Sequence, residues 1–145
     1  MFQRILVVCA GNICRSPVAE AMLRRALPTK QCSSAGLGAL VGHGAEPTAR
    51  ALAEADGLDM ASHEARQLTV AMLQEADLVL VMSDGQRRAV ADLAPETLGK
   101  TMTLGKWLDG GAGQDIPDPY RKSREAFEHV HELLSKATDA WAAKL

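Results

Sequence analysis

The stretch Arg4-Ile5-Leu6-Val7-Val8-Cys9-Ala10-Gly11-Asn12-Ile13-Cys14-Arg15-Ser16-Pro17-Val18 opens the chain. Its first five residues form a short apolar run rich in branched side chains, as a buried parallel strand requires. Ser16-Pro17 is a helix start signal, with serine as N-cap and proline at the first helical position. The residues between them therefore join the carboxyl end of a strand to the N-terminus of a helix. Backbone N–H groups and the helix dipole favour an anion at such a junction. Gly11 and Asn12 suit the positive φ angles that turn amides inward.

The same junction carries chemistry. Helix N-termini and nearby cations favour the thiolate of a cysteine, so Cys9 is expected to be ionised near neutral pH. Arg15 offers a planar fork that grips two phosphate oxygens at once. The Ser16 hydroxyl can donate to the sulfur, and the amides of Ala10, Gly11, Asn12, Ile13, Cys14, Arg15 and Ser16 form the expected phosphate cradle. The competing reading makes Cys9 a small buried hydrophobe that ends a strand. The order of cysteine, arginine, serine and proline after a strand favours the cradle.

Outward from this loop, strand-like runs alternate with helical patterns, which predicts an α/β fold with a parallel sheet. Strands are expected at residues 4–8, 31–35, 77–82 and 101–104, and helices at 17–27, 47–55, 69–74, 84–93 and 123–141. Ala126, Phe127, Val130, Leu133, Leu134, Ala137 and Trp141 make a stripe at helical spacing, a core face in the last helix. No repeat or linker divides the chain, so residues 1–145 are read as one domain. Residues 94–101 resemble a relaxed nucleotide-binding loop, but such a loop needs a strand before it and a helix after it. Here the order is reversed, and Lys100 reads as a solvated surface residue.

Composition narrows the function classes. With 16 basic and 18 acidic residues, the net charge of −2 leaves no electrostatic footprint for nucleic acid. Three cysteines are an odd number, and reduced thiols in the cytoplasm are expected. Leu6-Val7-Val8-Cys9 is too short for the apolar core of a leader, and no run approaches the ~20 residues of a membrane span. The four histidines are scattered, and His129 and His131 do not share a helix face, so neither a metal nor a cofactor is expected.

Cys9 through Pro17 resembles the signature of the low-molecular-weight protein tyrosine phosphatases. The resemblance continues in order through Ser34-Ala35-Gly36-Leu37-Gly38, the Gly42 to Ala49 stretch with Glu46-Pro47, His63-Glu64-Ala65-Arg66-Gln67-Leu68 and Asp115-Ile116-Pro117-Asp118-Pro119-Tyr120. It is strongest with members encoded beside tyrosine autokinases of capsule and exopolysaccharide export. The resemblance implies a four-stranded parallel sheet of order 2-1-3-4 with helices on both faces, and a site at the carboxyl end of the first strand. It implies hydrolysis of phosphotyrosine through a phosphocysteine on Cys9, with Arg15 stabilising the transferred phosphoryl group. The implied partner is a phosphotyrosine protein, a membrane-bound tyrosine autokinase met from the cytosolic side.

A departing phenolate must be protonated, and the resemblance makes Asp118 that acid and the base for water in the second step. On its own, Asp118 also fits a solvated Asp-Pro turn. Tyr120 and Leu40 are implied as walls against the substrate ring, although Tyr120 also fits a partly exposed loop aromatic. Isoleucine at Ile13, where phosphoarginine-specific relatives carry threonine, points to phosphotyrosine, and Ile13 equally suits packing. Tyr120-Arg121 stands where some relatives have two tyrosines, which removes a phosphorylatable pair.

Cys9 and Cys14 are implied as a reversible disulfide, while Cys14 alone also fits a buried packing role. Cys32 is expected in the core. His63 is implied as a support for Asn12, and a helix cap or surface role suits it as well. Three rivals stand beside the tyrosine phosphatase. A phosphoarginine phosphatase and an arsenate reductase share the implied fold, but the reductase needs resolving cysteines after Cys32, and there are none. A non-catalytic phosphate-binding or redox module would need neither Asp118 nor Ser16.

Overall fold

The computed structural model describes residues 2–145. β1 (Arg4–Cys9), β2 (Gln31–Gly36), β3 (Leu78–Val81) and β4 (Thr101–Thr103) form one parallel sheet in the order β2-β1-β3-β4. Five α-helices follow the pattern read from the sequence: α1 (Ser16–Ala26), α2 (Pro47–Ala55), α3 (Val70–Glu75), α4 (Asp84–Leu93) and α5 (Arg124–Ala142). Expected and observed bounds differ by a residue or two at several ends, where hydrogen bonding rather than side-chain pattern decides.

Alternation along β1 sorts the two faces, because successive side chains in a strand point to opposite sides. Ile5, Val7 and Cys9 join Val18, Met22 and Leu23 of α1 and the apolar stripe of α5 in one core. Leu6 and Val8 join Leu73 of α3 and Val90 of α4 in the other. In α5, Phe127, Val130, Leu133, Leu134, Ala137 and Trp141 are buried, and Ser123 caps the helix by accepting from the Ala126 N–H. β1 lies between β2 and β3, so its carboxyl end opens where the strand order reverses, the place where open sheets leave a crevice.

Three local expectations change. Ser16 is the first residue of α1 and caps nothing; the cap position is Arg15, with no side-chain cap bond. The hydroxyl is engaged elsewhere, as described below. Residues 101–104 shorten to three strand residues because Leu104–Trp107 closes a 3₁₀ turn that buries Leu104. Lys100 is not idle in solvent: its ammonium donates to the carbonyls of Gln74 and Ala76, which α3 leaves open at its C-terminus. The stretch around it is a 3₁₀ helix, Pro95–Lys100, running into a strand, the reverse of the strand-then-helix order that a nucleotide-binding loop needs. Among the described residues no helix is long and apolar enough to cross a membrane.

Candidate active site

Between β1 and α1 the chain winds into a tight loop whose carbonyls are drawn outward. The carbonyls of Cys9, Ala10 and Gly11 accept from the N–H groups of Leu37, Gly38 and Leu40, at 3.0, 2.9 and 3.1 Å. That of Asn12 accepts from His63 Nε2 at 2.7 Å, and that of Ile13 from the Glu46 N–H at 2.8 Å. A carbonyl can only accept, so His63 carries its proton on Nε2. With the carbonyls held outside, the N–H groups of Gly11 through Arg15 have no protein acceptor among the described residues. Successive inward amides of this kind form an anion-binding concavity. Asn12 takes φ 58°, a left-handed conformation that asparagine tolerates better than most side chains.

Arg15 closes the ring. It is 5 % exposed, its Nη1 donates to the Ile116 carbonyl at 2.8 Å, and its Nη2 lies 3.7 Å from Asp118 Oδ2. Its Nε is buried without a partner. A buried guanidinium N–H left open is costly, and the Nε–Nη2 edge matches two oxygens of a tetrahedral anion.

Behind the loop runs a buried hydrogen-bonded chain. Arg66 N–H donates to Asn12 Oδ1 at 3.0 Å, which orients the amide so that Nδ2 meets Ser16 Oγ at 2.8 Å and Ser34 Oγ at 2.9 Å. Ser34 Oγ donates a hydrogen bond to Glu20 Oε1 at 2.6 Å. Ser16 Oγ accepts from Asn12 and sits 2.9 Å from Cys9 Sγ, placed to donate its hydrogen to the sulfur in the thiolate form. Cys9, Asn12 and Ser16 are all buried.

The loop of residues 115–120 brings Asp118 across the opening. Ile116 N–H donates to the Met82 carbonyl at the end of β3, at 2.8 Å, and the Ile116 carbonyl receives Arg15. Pro117 and Pro119 restrict the backbone on either side. Asp118 Oδ1 accepts from the Tyr120 N–H at 3.1 Å, and its side chain is 48 % exposed. A cleft of about 210 Å³ is lined by Cys9, Ala10, Gly11, Ile13, Cys14, Arg15, Gly38, Leu40, Asp118 and Tyr120. Tyr120 and Leu40 are exposed at 39 % and 37 %, as walls of an open slot must be.

A model of the low molecular weight phosphotyrosine protein phosphatase family matches residues 4–145. The chain belongs to that family. The low molecular weight protein-tyrosine-phosphatase Wzb of Salmonella typhimurium is 49 % identical over 145 residues, covering 100 % of this chain and 95 % of the relative. Among solved structures, Vibrio vulnificus Wzb in complex with benzylphosphonate superposes with TM-score 0.95 at 46 % identity, covering 100 % of both chains. The YwlE arginine phosphatase of Geobacillus stearothermophilus superposes with TM-score 0.89 at 34 % identity, covering 97 % of this chain and 91 % of that one. As a member of the low molecular weight phosphotyrosine protein phosphatase family, the chain is a protein-tyrosine-phosphatase.

Within this phosphatase the fold gathers every residue singled out from the sequence for the site: Cys9, the cradle from Ala10 to Ser16, Leu40, His63, Asp118 and Tyr120. Cys14 is buried, and Cys32 lies in the core. The three cysteines are free thiols. Burial pushes the Cys14 thiol up to about 12, helped by the carboxylates of Glu46 and Asp118 and the Cys9 sulfur and opposed by Arg15. Desolvation likewise raises Cys32, against the charge of Arg24.

Sequence reasoning missed Ser34, Glu20, Gly36 and the Arg66 backbone. A Cβ on Gly36 would lie 2.7 Å from the Ala10 carbonyl oxygen and 3.0 Å from the Asn12 nitrogen. Glycine is what lets β2 approach the cradle. Ser34 and Gly36 stand inside the quoted Ser34-Ala35-Gly36 run, but nothing local says which face of β2 meets the loop.

Proposed function

We propose that the chain hydrolyses phosphotyrosine in proteins through a phosphocysteine on Cys9. The observation that carries this reading is the cleft itself, with an inward amide ring and an open Arg15 edge around Cys9 Sγ and a carboxylate facing it across the slot. In the first step Cys9 sulfur bonds to phosphorus while the phosphorus–phenol oxygen bond breaks. Asp118 gives its proton to the departing oxygen. Arg15 and the amides bind the equatorial oxygens, whose charge they match in the transition state better than in the ground state. In the second step water bonds to phosphorus, Asp118 takes its proton, and the sulfur leaves as thiolate, releasing inorganic phosphate. The Ser16 hydroxyl donates to the departing sulfur.

The walls select the substrate. Tyr120 and Leu40 give the slot apolar sides that fit a phenyl ring and keep a shorter phosphoserine from reaching the sulfur. Ile13 brings no hydroxyl to place water at a guanidinium phosphate, which favours phosphotyrosine over phosphoarginine. The high position of the Cys14 thiol favours the packing use of that residue over a resolving one, because thiolates and not thiols attack an oxidised sulfur. His63 is read as a brace for Asn12, on its bond to the Asn12 carbonyl. The chain is read as one domain, working in the cytoplasm on the phosphorylated tail of a membrane-bound tyrosine autokinase that controls exopolysaccharide or capsule production.

The test compares turnover of matched phosphotyrosine, phosphoserine and phosphoarginine peptides, followed by the phosphorylated cytosolic part of such a kinase. Preferential release of phosphate from phosphotyrosine supports the reading, and preference for phosphoarginine overturns it. Kinase phosphotyrosine left intact while peptides are hydrolysed removes only the assigned target.

A further inference from the structure

The segment after Tyr120 carries charge that the chemistry at Cys9 leaves unused. Arg121, Lys122 and Arg124 crowd the start of α5 in a chain whose net charge is −2. A helix N-terminus is already positive, so cations there work against the helix and acids help it. Glu125 is the acidic residue of that first turn. Arg124 lies 3.9 Å from Glu128, while Arg121 and Lys122 pair with no carboxylate among the described residues.

Arg121 is also held in an unusual backbone. Its φ is 61°, a region that long side chains avoid and that glycine or asparagine would occupy more easily. A plain turn would not call for arginine. The conformation sets the guanidinium carbon 5.2 Å from the centroid of the Tyr120 ring, within cation–π range. Tyr120 lines the cleft beside Asp118 and Leu40. Arg121 is therefore tied to the wall that a phosphotyrosine ring passes, and its exposed donors face no protein acceptor among the described residues.

We propose that Arg121, with Lys122, selects substrates that carry a second anionic group beside the phosphotyrosine. This rests on the phosphotyrosine reading above and deepens it. The chemistry recognised is an oxygen anion, either a side-chain carboxylate or the phosphate of a neighbouring phosphotyrosine. The planar fork of arginine binds two oxygens of either group. Arg121 makes and breaks no bond; it raises kcat/KM for one class of peptide by holding it at the slot.

Three peptides with the same phosphotyrosine test this: one with neutral flanks, one with aspartate flanks and one with a second phosphotyrosine. Wild type, Arg121→Asn, Arg121→Lys and Lys122→Ala are compared at low and high salt. Asparagine tolerates the left-handed backbone, so Arg121→Asn removes charge without forcing the turn. Wild type is expected to prefer anionic flanks by about fivefold, the reach of an exposed ion pair. The preference should fall toward parity in Arg121→Asn and in high salt, and survive in part in Arg121→Lys. Preference for the doubly phosphorylated peptide alone assigns the anion as phosphate, and preference for both assigns any oxygen anion. Equal kcat/KM on all three peptides, or a preference that Arg121→Asn leaves intact, overturns the proposal while phosphotyrosine hydrolysis stands. Failure of wild type to hydrolyse any of them overturns the phosphatase reading first, and the selectivity with it.

Discussion

Ser16 Oγ lies 2.9 Å from Cys9 Sγ and accepts from the Asn12 amide, and because a thiolate can only accept, the ionised sulfur takes the Ser16 hydrogen. That donor matters most when the sulfur carries charge, as the attacking group and again as the group leaving phosphorus. A hydrogen bond to a charged group contributes about 1.5–3 kcal/mol. Ser16→Ala should therefore lower kcat by about ten- to a hundredfold, with the second step slowed more than the first. Rapid mixing with an aryl phosphate reads this as a burst of phenol followed by slow turnover. Equal slowing of both steps would argue that Ser16 acts only in packing.

Asp118→Asn removes the proton donor while keeping the shape and the bond from the Tyr120 N–H. General acid catalysis is worth about 10²–10⁴ in rate, and the need for it grows with the basicity of the leaving oxygen. The variant should lose most on phenyl phosphate and least on aryl phosphates with acidic phenols. A plot of log kcat/KM against leaving-group pKa checks this, and an unchanged slope would move the acid to another residue, Asp115 first.

Gly36→Ala tests the packing of β2 against the cradle. With the added carbon 2.7 Å from the Ala10 carbonyl and 3.0 Å from the Asn12 nitrogen, both backbone atoms, the loop must shift. Such overpacking costs about 1–3 kcal/mol of stability. Inhibition by inorganic phosphate should weaken in parallel, since the amides of the cradle lose their aim. Chemical denaturation and phosphate inhibition constants measure the two effects.

The strand–loop–helix reading needed only local chemistry, because an apolar run, a glycine-asparagine pair and a Ser-Pro start each act within a few residues. The same locality misled at Ser16. Its type says helix cap, and it is instead taken by Cys9 and Asn12, partners that exist only once the loop closes. Ser34 and Glu20 complete the chain behind Asn12 from two other elements, 22 residues ahead of Asn12 and 14 residues before Ser34. No periodicity carries a contact of that kind. Asp118 stood between: the sequence offered a turn, and the bond from Arg15 to the Ile116 carbonyl is what brings the turn to the cleft.

Cys14 gives a pH signature. Its folded pKa is raised from 9.0 to about 12, so the fold holds the thiol form. The stabilisation is fully present below 9.0 and is lost as pH rises toward 12. Stability should then fall above pH 9 by as much as about 1.4 kcal/mol per pH unit for this group. Cys14→Ala should flatten part of that fall, leaving the share from Cys32, whose thiol is raised too. Urea unfolding at a series of alkaline pH values provides the slopes, and identical slopes in wild type and Cys14→Ala would contradict the assignment.

The chemistry turns on one bond, between Cys9 sulfur and phosphorus. Acid quenching of the enzyme during turnover of an aryl phosphate, followed by peptide mass mapping, reads it directly. Phosphate should appear on the peptide containing Cys9, accumulate further in Ser16→Ala and be absent from Cys9→Ser, which should turn over no substrate. Full turnover by Cys9→Ser, with no phosphorylated Cys9 in wild type at any time, would contradict the mechanism.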